Sequence, residues 1–239
     1  MATAGKNTKV ILDGWPMHDI LNSIETPATV DTFETSVFNT SGAKTYVPGN
    51  SDATLSAEGF FVSSSSDSSV ESTLASAISS TGSQVWTWWP DGTSTGKTGY
   101  GLTSFETGYT ITSPVDGTVD ISIEGQVTDG RDTIESLRSL TGASTTGNSA
   151  SDDNTAATTN GGIGYLQRTS NSTRGLLPAI QHSAVGTTWD DLIAFTSDAS
   201  RDGQRVAVAG EVKRFTRSEH TLSTGSTSSI TFQVGFRRK

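Results

Sequence analysis

Side chains with catalytic or metal-binding chemistry are few and widely spaced in this 239-residue chain. The three histidines, His18, His182 and His220, do not stand at metal-ligand spacing with one another or with a pair of carboxylates. His182, Ser183 and Asp190 have the composition of a catalytic triad, but serine and threonine make up roughly three in ten residues, so this proximity is expected by chance. The chain has no cysteine, which excludes a thiol nucleophile and a thiolate metal site. We therefore expect no catalytic residue, no metal and no cofactor.

Two short motifs resemble catalytic loops without their structural context. Residues 92–96, GTSTG, match the nucleophile elbow of hydrolases, which requires a helix after the serine. Residues 97–101, KTGYG, follow and do not favour a helix. The same stretch ends like a phosphate-binding loop, but Asp91 stands where the first glycine belongs and would repel a phosphate. We therefore predict that the protein is not an enzyme.

An aromatic cluster around the segment WTWWPDG leaves one binding function open. Trp86, Trp88, Trp89 and Tyr100 could stack on sugar rings, as in a carbohydrate-binding β-sandwich module. Trp86 and Trp88 share one face of a predicted strand, however, which favours packing in a core or a subunit contact. The carbohydrate-binding module is kept as an alternative.

Charge is unevenly distributed along the sequence. Residues 10–130 contain fifteen acidic residues against Lys44 and Lys97, whereas residues 131–239 contain twelve basic and ten acidic residues. The acidic part is expected either to be solvated or to avoid a polyanion. In a third interpretation, the acidic residues pair with a basic patch on another copy of the chain. The basic candidates for such a subunit interface are Lys213, Arg214, Arg217, Arg237 and Arg238.

Neither a secretory signal nor a membrane span is predicted. The N-terminal residues contain no apolar run of sufficient length, and no later window approaches the length of a transmembrane helix. We expect a soluble product that is made in the cytoplasm.

Alternation of apolar and polar residues is the main structural signal and predicts a β-sandwich or barrel. Residues 104–113 and 118–128 are predicted to form one hairpin, with Phe105, Tyr109 and Ile111 facing inward. Further strands are predicted at 29–38, 53–62, 163–168, 176–183, 204–216 and 229–236.

Two helices and one long loop complete the predicted elements. Ser68 and Glu71 have capping-box spacing and begin a helix that ends near Gly82 and flanks the sheet. A shorter helix is predicted at 132–140. Residues 141–162 are polar and of low complexity, so they are predicted to be a flexible loop or linker inside a single domain spanning residues 1–239.

Residues 30–61, VDTFETSVFNTSGAKTYVPGNSDATLSAEGFF, resemble the tail tube (major tail) proteins of long-tailed, non-contractile, siphovirus-type bacteriophages. A strand rich in threonine and phenylalanine runs into a K-x-Y-x-P-G element and returns through D-A-T-L-S-x-x-G-x-F. The matching residues are Lys44, Tyr46, Pro48, Gly49, Asp52, Ala53, Leu55, Gly59 and Phe61. Residues 99–101 with the following SPVDGTVDISIEGQ, and the C-terminal segments IQHSAVGTTWDDLIAFT, VAGEVKRFTRSEHT and FQVGFRR, are also similar to the family.

The resemblance implies a tail-tube-type β-sandwich with one flanking helix and long loops, which forms hexameric rings. In that family the rings stack into a hollow tail tube that encloses the tape-measure protein and conducts viral DNA into the host. The implied partners are other copies of the chain, the tape-measure protein, and the tail terminator and baseplate proteins. Double-stranded DNA would pass through transiently without specific binding. The implied location is the virion tail, assembled in the host cytoplasm.

The resemblance also assigns roles to particular residues. The segment 39–52 is expected to be the ring-stacking loop, with Gly42, Lys44, Tyr46, Pro48, Gly49 and Asp52 as its residues. The polar faces of the predicted hairpin and of strand 53–62 are expected to line the lumen through Glu58, Glu106, Asp120 and Glu124. A related ring protein, either a tail terminator or a distal tail protein, is the alternative within the same structural class.

Overall fold

The structure is a computed structural model, and it describes residues 5–35, 44–61, 74–75, 82–170, 175–196, 200–223 and 229–239. The strands of the described residues, in chain order, are β1 (Lys9–Leu12), β2 (Trp15–Pro16), β3 (Leu21–Glu25), β4 (Ala28–Glu34), β5 (Tyr46–Phe60), β6 (Gln84–Trp89), β7 (Thr98–Thr112), β8 (Asp120–Val127), β9 (Asp132–Ala143), β10 (Gly147–Asn148), β11 (Asp152–Asp153), β12 (Gly162–Arg168), β13 (Leu176–Ser183), β14 (Asp190–Ala194), β15 (Asp202–Val208), β16 (Phe215–Leu222) and β17 (Ile230–Arg238). The fold is mainly β and its strand pairs are antiparallel, which confirms the predicted fold class.

Contacts within the chain group its residues into two compact units. The first unit comprises residues 1–19, 84–101 and 132–239, and the second comprises residues 20–83 and 102–131. The second unit carries twelve acidic and two basic residues, and the first carries thirteen acidic and fourteen basic residues, so the acidity of the chain belongs to the second unit. That the whole chain acts as one tail-tube domain stays a prediction.

The first unit is a sandwich of two sheets. One sheet has the strand order β15-β12-β17-β9-β7-β6-β1-β2, and the other has the order β10-β16-β13-β14, with β11 also paired to β16. Both sheets contribute to one apolar cluster, with Phe232 and Val234 on β17 and Leu176 and Ile180 on β13 all fully buried. The alternation of apolar residues in β17, at Ile230, Phe232, Val234 and Phe236, therefore identified core positions of this sandwich.

The second unit is a smaller sheet centred on β5. Its strand β8 pairs with β5 on one side and with residues 104–112 of β7 on the other. β3 and β4 both pair with β5, at residues 56–59 and 46–53 respectively. The β7–β8 pairing confirms the hairpin predicted from residues 104–113 and 118–128.

Residues 132–140 are strand, and the predicted helix there is wrong. They belong to β9, which pairs with β17 and with residues 98–101 of β7. The residues Asp132, Ile134 and Ser136 are buried at every second position, a period that fits a strand. Pairing on both edges outweighs the capping-box spacing and the weak helix propensity of this segment.

Three other segments differ from the sequence-based prediction in their boundaries. The strand predicted at 204–216 is two strands, β15 and β16, separated by the turn at Gly210, whose φ is 93°. The loop predicted at 141–162 contains the short strands β10 and β11, both paired with β16. The helix predicted from Ser68 falls mainly outside the described residues, although residues 74–75 are helical.

Candidate assembly surfaces

The second unit contains a two-stranded antiparallel ribbon. It is formed by residues 28–34 of β4 and 46–53 of β5. Its register pairs Ala28 with Ala53 at the base and Glu34 with Tyr46 at the far end. Every residue of β4 is exposed, and β4 has no strand partner other than β5 among the described residues. Residues 46–52 were predicted to lie in a loop, and that prediction is wrong, because they extend β5 along the ribbon.

Large apolar side chains lie on both faces of the ribbon. Phe33 and Val47 are directly opposite each other and are 61% and 50% exposed. Val30 and Tyr46 lie on the other face at 54% and 55% exposure, because side chains alternate along each strand. An isolated two-stranded hairpin is at best marginally stable in water, and clustered exposed apolar side chains mark interaction sites. Both faces of the ribbon therefore have the exposed apolar side chains that are typical of an interaction surface.

The ribbon is shaped by a bulge beside Gly49. The register shifts between Val30 and Thr32, so that β5 carries one more residue than β4 at this point. The ring of Phe33 occupies the space that a Cβ at position 49 would need. Pro48 precedes this irregular position, where a missing N–H is tolerated. Gly49 therefore leaves room for the Phe33 ring close to the ribbon backbone.

Polar contacts continue the ribbon beyond its last strand residues. The Lys44 ammonium donates a hydrogen bond to Glu34 Oε2 at 3.0 Å. The Thr35 amide donates to the carbonyl of Thr45 at 2.8 Å. At the base, Asp52 Oδ1 accepts hydrogen bonds from its neighbour's amide at 2.8 Å and from Gln126 Nε2 of β8 at 2.6 Å.

The residues predicted for ring stacking are thus distributed along the ribbon rather than in one loop. Tyr46, Pro48, Gly49 and Asp52 lie in β5, and Lys44 precedes it. Gly42 lies outside the described residues. Their role in stacking stays a prediction. Sequence reasoning missed Phe33 and Val47, which only the strand register places opposite each other.

An acidic, hydroxyl-bearing face runs across β5, β8 and the second half of β7. Glu58 is paired with Ser122, while Asp120 and Glu124 flank Ser122 on the same face of β8. All three carboxylates are exposed. Glu58 and Asp120 also line a depression of about 430 Å³ in this face. The side chains that share the face with these acids are Thr54, Ser56, Phe60, Phe105, Thr110, Thr112, Ser122 and Gln126.

Glu106 does not belong to this exposed face, so its predicted lumen position is wrong. Thr107 is an extra residue in β7, because Glu106 pairs with Gly125 while Gly108 pairs with the preceding residue of β8. This bulge inverts the alternation, so that Ser104 and Glu106 are buried and Phe105 is 42% exposed. The predicted inward orientation of Phe105 is wrong for the same reason. Ile111, on the other side of the bulge, faces the core side but is 42% exposed near the hairpin end.

The basic residues proposed for a subunit interface have partners in their own chain. Lys213 forms an ion pair with Asp190, and Arg237 forms one with Asp132. Arg214 donates two hydrogen bonds of 2.6 Å to Asp153, and this pairing lowers the Asp153 pKa to about 2. Arg217 donates two hydrogen bonds to Gln181 Oε1, and its guanidinium carbon lies 4.1 Å from the centre of the Trp189 ring. Arg238 donates hydrogen bonds to the backbone carbonyls of residues 212–214. An interface role for these residues stays a prediction, and the ion pairs do not require it.

Asp132 is the centre of a buried charged cluster in the first unit. It accepts a 2.5 Å hydrogen bond from the Tyr165 hydroxyl and forms ion pairs with Arg205, at 3.4 Å, and with Arg237. Its side chain is only 2% exposed. Burial, together with the bond to Asp132, raises the pKa of Tyr165. The cluster joins β9, β12, β15 and β17, so it stabilises the sheet and leaves no acid or base directed at a substrate.

His182, Ser183 and Asp190 do not form a catalytic triad. The Lys213 amide donates to His182 Nδ1 at 3.2 Å, and Asp190 forms an ion pair with the Lys213 ammonium. Ser183 is fully buried, and its hydroxyl accepts hydrogen bonds from the amides of residues 185 and 186. Burial and the nearby Lys213 lower the His182 pKa. These contacts are consistent with the interpretation that the three residues are close in sequence by chance.

The WTWWPDG tryptophans are core residues. Trp86 and Trp89 are fully buried and Trp88 is 7% exposed, with its ring centre 4.8 Å from that of Tyr100. A sugar ring cannot stack on side chains that are packed inside a sheet. A carbohydrate site at this segment is therefore excluded.

The described ranges offer neither a metal-binding cluster nor a membrane-spanning helix. No group of three or more histidine and carboxylate side chains within them could hold a metal ion. Within those ranges, no helix is long and apolar enough to cross a membrane.

No protein-family model matches the chain, and no curated protein matches it by sequence. Among solved structures, it is similar to a chain of the virion of a native gene transfer agent particle. The identity is 12%, the match covers 55% of this chain and 98% of that chain, and the TM-score is 0.45. It is also similar to the SPP1 tail tube, at 12% identity over 55% of this chain and 78% of that chain, with a TM-score of 0.42.

A third similar structure covers nearly the whole chain. It is the SPP1 Dit protein, described as a paradigm of the hub adsorption apparatus in phages that infect Gram-positive bacteria. The identity is 11% over 96% of this chain and 98% of that chain, with a TM-score of 0.37.

Proposed function

We propose that this chain is a structural subunit of a siphovirus-type phage tail tube. Hexameric rings of identical subunits stack into a hollow tube that encloses a tape-measure protein and later conducts DNA into the host. The proposal joins the sequence resemblance carried by residues 30–61 to the surfaces of the second unit. It assigns the chain no catalytic role, metal or cofactor.

The ribbon is the observation that carries this proposal. Its apolar side chains face solvent on both sides, Phe33 with Val47 on one face and Val30 with Tyr46 on the other. A head-to-tail contact between identical subunits closes into a ring or continues along an axis, and neither arrangement needs an active site. A ribbon that inserts between copies would bury both faces at once. Residues 30–34 and 46–53 of the resembling segment lie in this ribbon.

The acidic face supports the role of a DNA conduit. Duplex DNA carries one negative charge per roughly 1.7 Å of axis, and basic side chains bind it by releasing counterions. Glu58, Asp120 and Glu124 are exposed on a face whose members in β5, β7 and β8 include no basic residue. A wall of this composition keeps contact with passing DNA weak. The second unit is also the acidic part of the chain.

The proposed partners follow from a position in a tail tube. They are other copies of the chain, the tape-measure protein in the lumen, and the tail terminator and baseplate proteins at the two ends. The proposed location is the virion tail, after assembly in the host cytoplasm.

Electron microscopy of the purified protein tests the proposal. We expect negative-stain images to show hollow tubes, and cross-sections to show sixfold symmetry. Single rings that do not stack would show that the chain is not the tube subunit and would favour a terminator or distal tail protein instead. A monomer at all concentrations would overturn the proposal, and glycan-array binding by that monomer would favour a carbohydrate-binding module with its site away from the buried tryptophans.

A further inference from the structure

A buried carboxyl group lies beneath the acidic face of the second unit. Glu106 is 7% exposed, and neither of its carboxyl oxygens has a hydrogen-bond partner among the described residues. Ser104 lies two residues earlier on the same face of β7 and is 1% exposed, and its hydroxyl likewise has no partner there. Buried polar groups are normally paired, so two unpaired groups side by side require an explanation.

Gly125 of β8 lies opposite Glu106 and close to Ser104. Glu106 is directly opposite Gly125 in the β7–β8 ladder. A Cβ at Gly125 would lie 3.3 Å from both the Ser104 hydroxyl oxygen and the Phe105 carbonyl oxygen. Because glycine lacks that atom, the Ser104 side chain can lie close to the backbone of β8 at the position opposite Glu106.

Among the residues that the structure describes, no ion pair accounts for the burial of this carboxyl group. On the same face, β8 presents Ile123 and Val127, and β5 presents Leu55 and Ala57. Tyr109, beyond the bulge, is the other titratable side chain that the described part of β7 places on this face. Burial raises the pKa of Glu106 to about 7. An ionised carboxylate would be costly here, whereas a protonated carboxyl group can donate a hydrogen bond.

We propose that Glu106 is a proton-operated latch in the sheet of the second unit. The two groups are not hydrogen-bonded in the structure. When Glu106 is protonated, we expect its carboxyl group to donate a hydrogen bond to the Ser104 hydroxyl, directly or through one water molecule, and to hold the bulged part of β7 against β8. When the proton leaves to solvent, a buried negative charge remains without a partner and weakens that pairing. The latch also acts on the ribbon strand, because β8 pairs with β5 as well as with β7. The proposal concerns the folded subunit and does not require that the subunit forms tubes.

The pH dependence has a definite sign. The folded protein binds the Glu106 proton more tightly than the unfolded chain, whose glutamate titrates near its ordinary value of 4.5. The stabilisation is therefore complete below about pH 4.5 and is lost as the pH rises to about 7. Above that range the contribution of Glu106 no longer changes.

Urea unfolding of the wild-type protein and of Glu106→Gln between pH 5 and pH 8 tests the latch. We expect the unfolding equilibrium constant of the wild type, relative to Glu106→Gln, to rise by up to tenfold per pH unit until about pH 7 and then to level off. Glu124→Gln is the matched control on the exposed face, and its ratio to the wild type should stay constant over this range. Equal pH profiles for the wild type and Glu106→Gln would overturn the proposal.

A carboxyl NMR titration of the wild-type protein keeps the test independent of the variant's folding. The Glu106 signal should have a midpoint near 7, and a midpoint near the ordinary value of 4.5 would overturn the latch. Ser104→Ala removes the proposed acceptor, so it should shift that midpoint to lower pH and destabilise the protein more at pH 5 than at pH 8. An unchanged midpoint in Ser104→Ala would show that the serine is not the acceptor and would reject the proposed hydrogen bond.

Discussion

The ring of Phe33 lies over Gly49, in the space that a side chain at that position would need. Phe33 belongs to β4 and Gly49 to β5, so the contact crosses the ribbon. The Phe33 side chain nevertheless remains 61% exposed. An aromatic residue that is seated on a glycine in this way is held in place yet remains available to another molecule.

Replacing Phe33 and Val47 by serine should prevent assembly without unfolding the subunit. Both side chains are at least half exposed, so their loss removes little buried area from the monomer. We expect the melting temperature to change little and tubes to disappear in electron micrographs. Val185→Ser is a control, because it removes a side chain of 66% exposure from the first unit. Normal tubes from the Phe33 and Val47 double variant would exclude this face of the ribbon from assembly.

Asp132→Asn should be among the most destabilising single substitutions in the first unit. Removing one partner of a buried ion pair costs about 3–5 kcal/mol, because the remaining charge is left uncompensated. Here two arginines, Arg205 and Arg237, would lose the same carboxylate. Urea unfolding measures the loss. Asp91→Asn breaks the more exposed pair with Lys97 and should cost only about 0–1 kcal/mol, so equal losses in the two variants would contradict the buried cluster.

Asp153 should titrate well below an ordinary aspartate. Its two hydrogen bonds from Arg214 lower its pKa from 3.8 to about 2. The folded protein therefore binds this proton less tightly than the unfolded chain, and the stabilisation is present above pH 3.8 and is lost as the pH falls to about 2. A carboxyl NMR titration should place the midpoint near 2, and Arg214→Gln should move it upward. The same midpoint in both proteins would show that Arg214 is not the cause.

Replacing Glu58, Asp120 and Glu124 by lysine should slow the movement of DNA, if the proposed function is correct. The three side chains are exposed on one face, so the fold should tolerate the change, whereas a basic wall would bind passing DNA by counterion release. Ejection of DNA from particles that carry the altered tubes, followed by dye fluorescence, is the measurement. We expect slower ejection that recovers partly at high salt.

The control for this charge change replaces three exposed acids of the first unit. Replacing Asp19, Asp191 and Glu211 by lysine gives the same change in net charge at other positions. Unaltered ejection in both sets, from intact tubes, would show that the acidic face does not line the channel. Equal slowing in both sets would attribute the effect to net charge instead.

Strands with strict alternation were recognisable from the sequence. β13 has the predicted bounds, and β8, β12 and β17 differ from theirs by at most two residues at either end. In β17, and in β8 apart from Gly125, apolar residues recur at every second position, and that period by itself places one face in a core. The absence of a catalytic arrangement at His182 also followed from composition, because serine is too common for its proximity to carry meaning.

Tertiary structure decided the features that depend on pairing between distant segments. β9 carries a helical spacing at Asp132 and Glu135, yet neighbours on both edges make it a strand. One extra residue, Thr107, moves Glu106 from the exposed to the buried face. The alternation of residues in this segment of the sequence does not predict such a bulge. Ribbon pairing likewise depends on strand register. Local periodicity encodes which face of a strand is apolar, but register, bulges and ion-pair partners arise only when segments far apart in sequence meet.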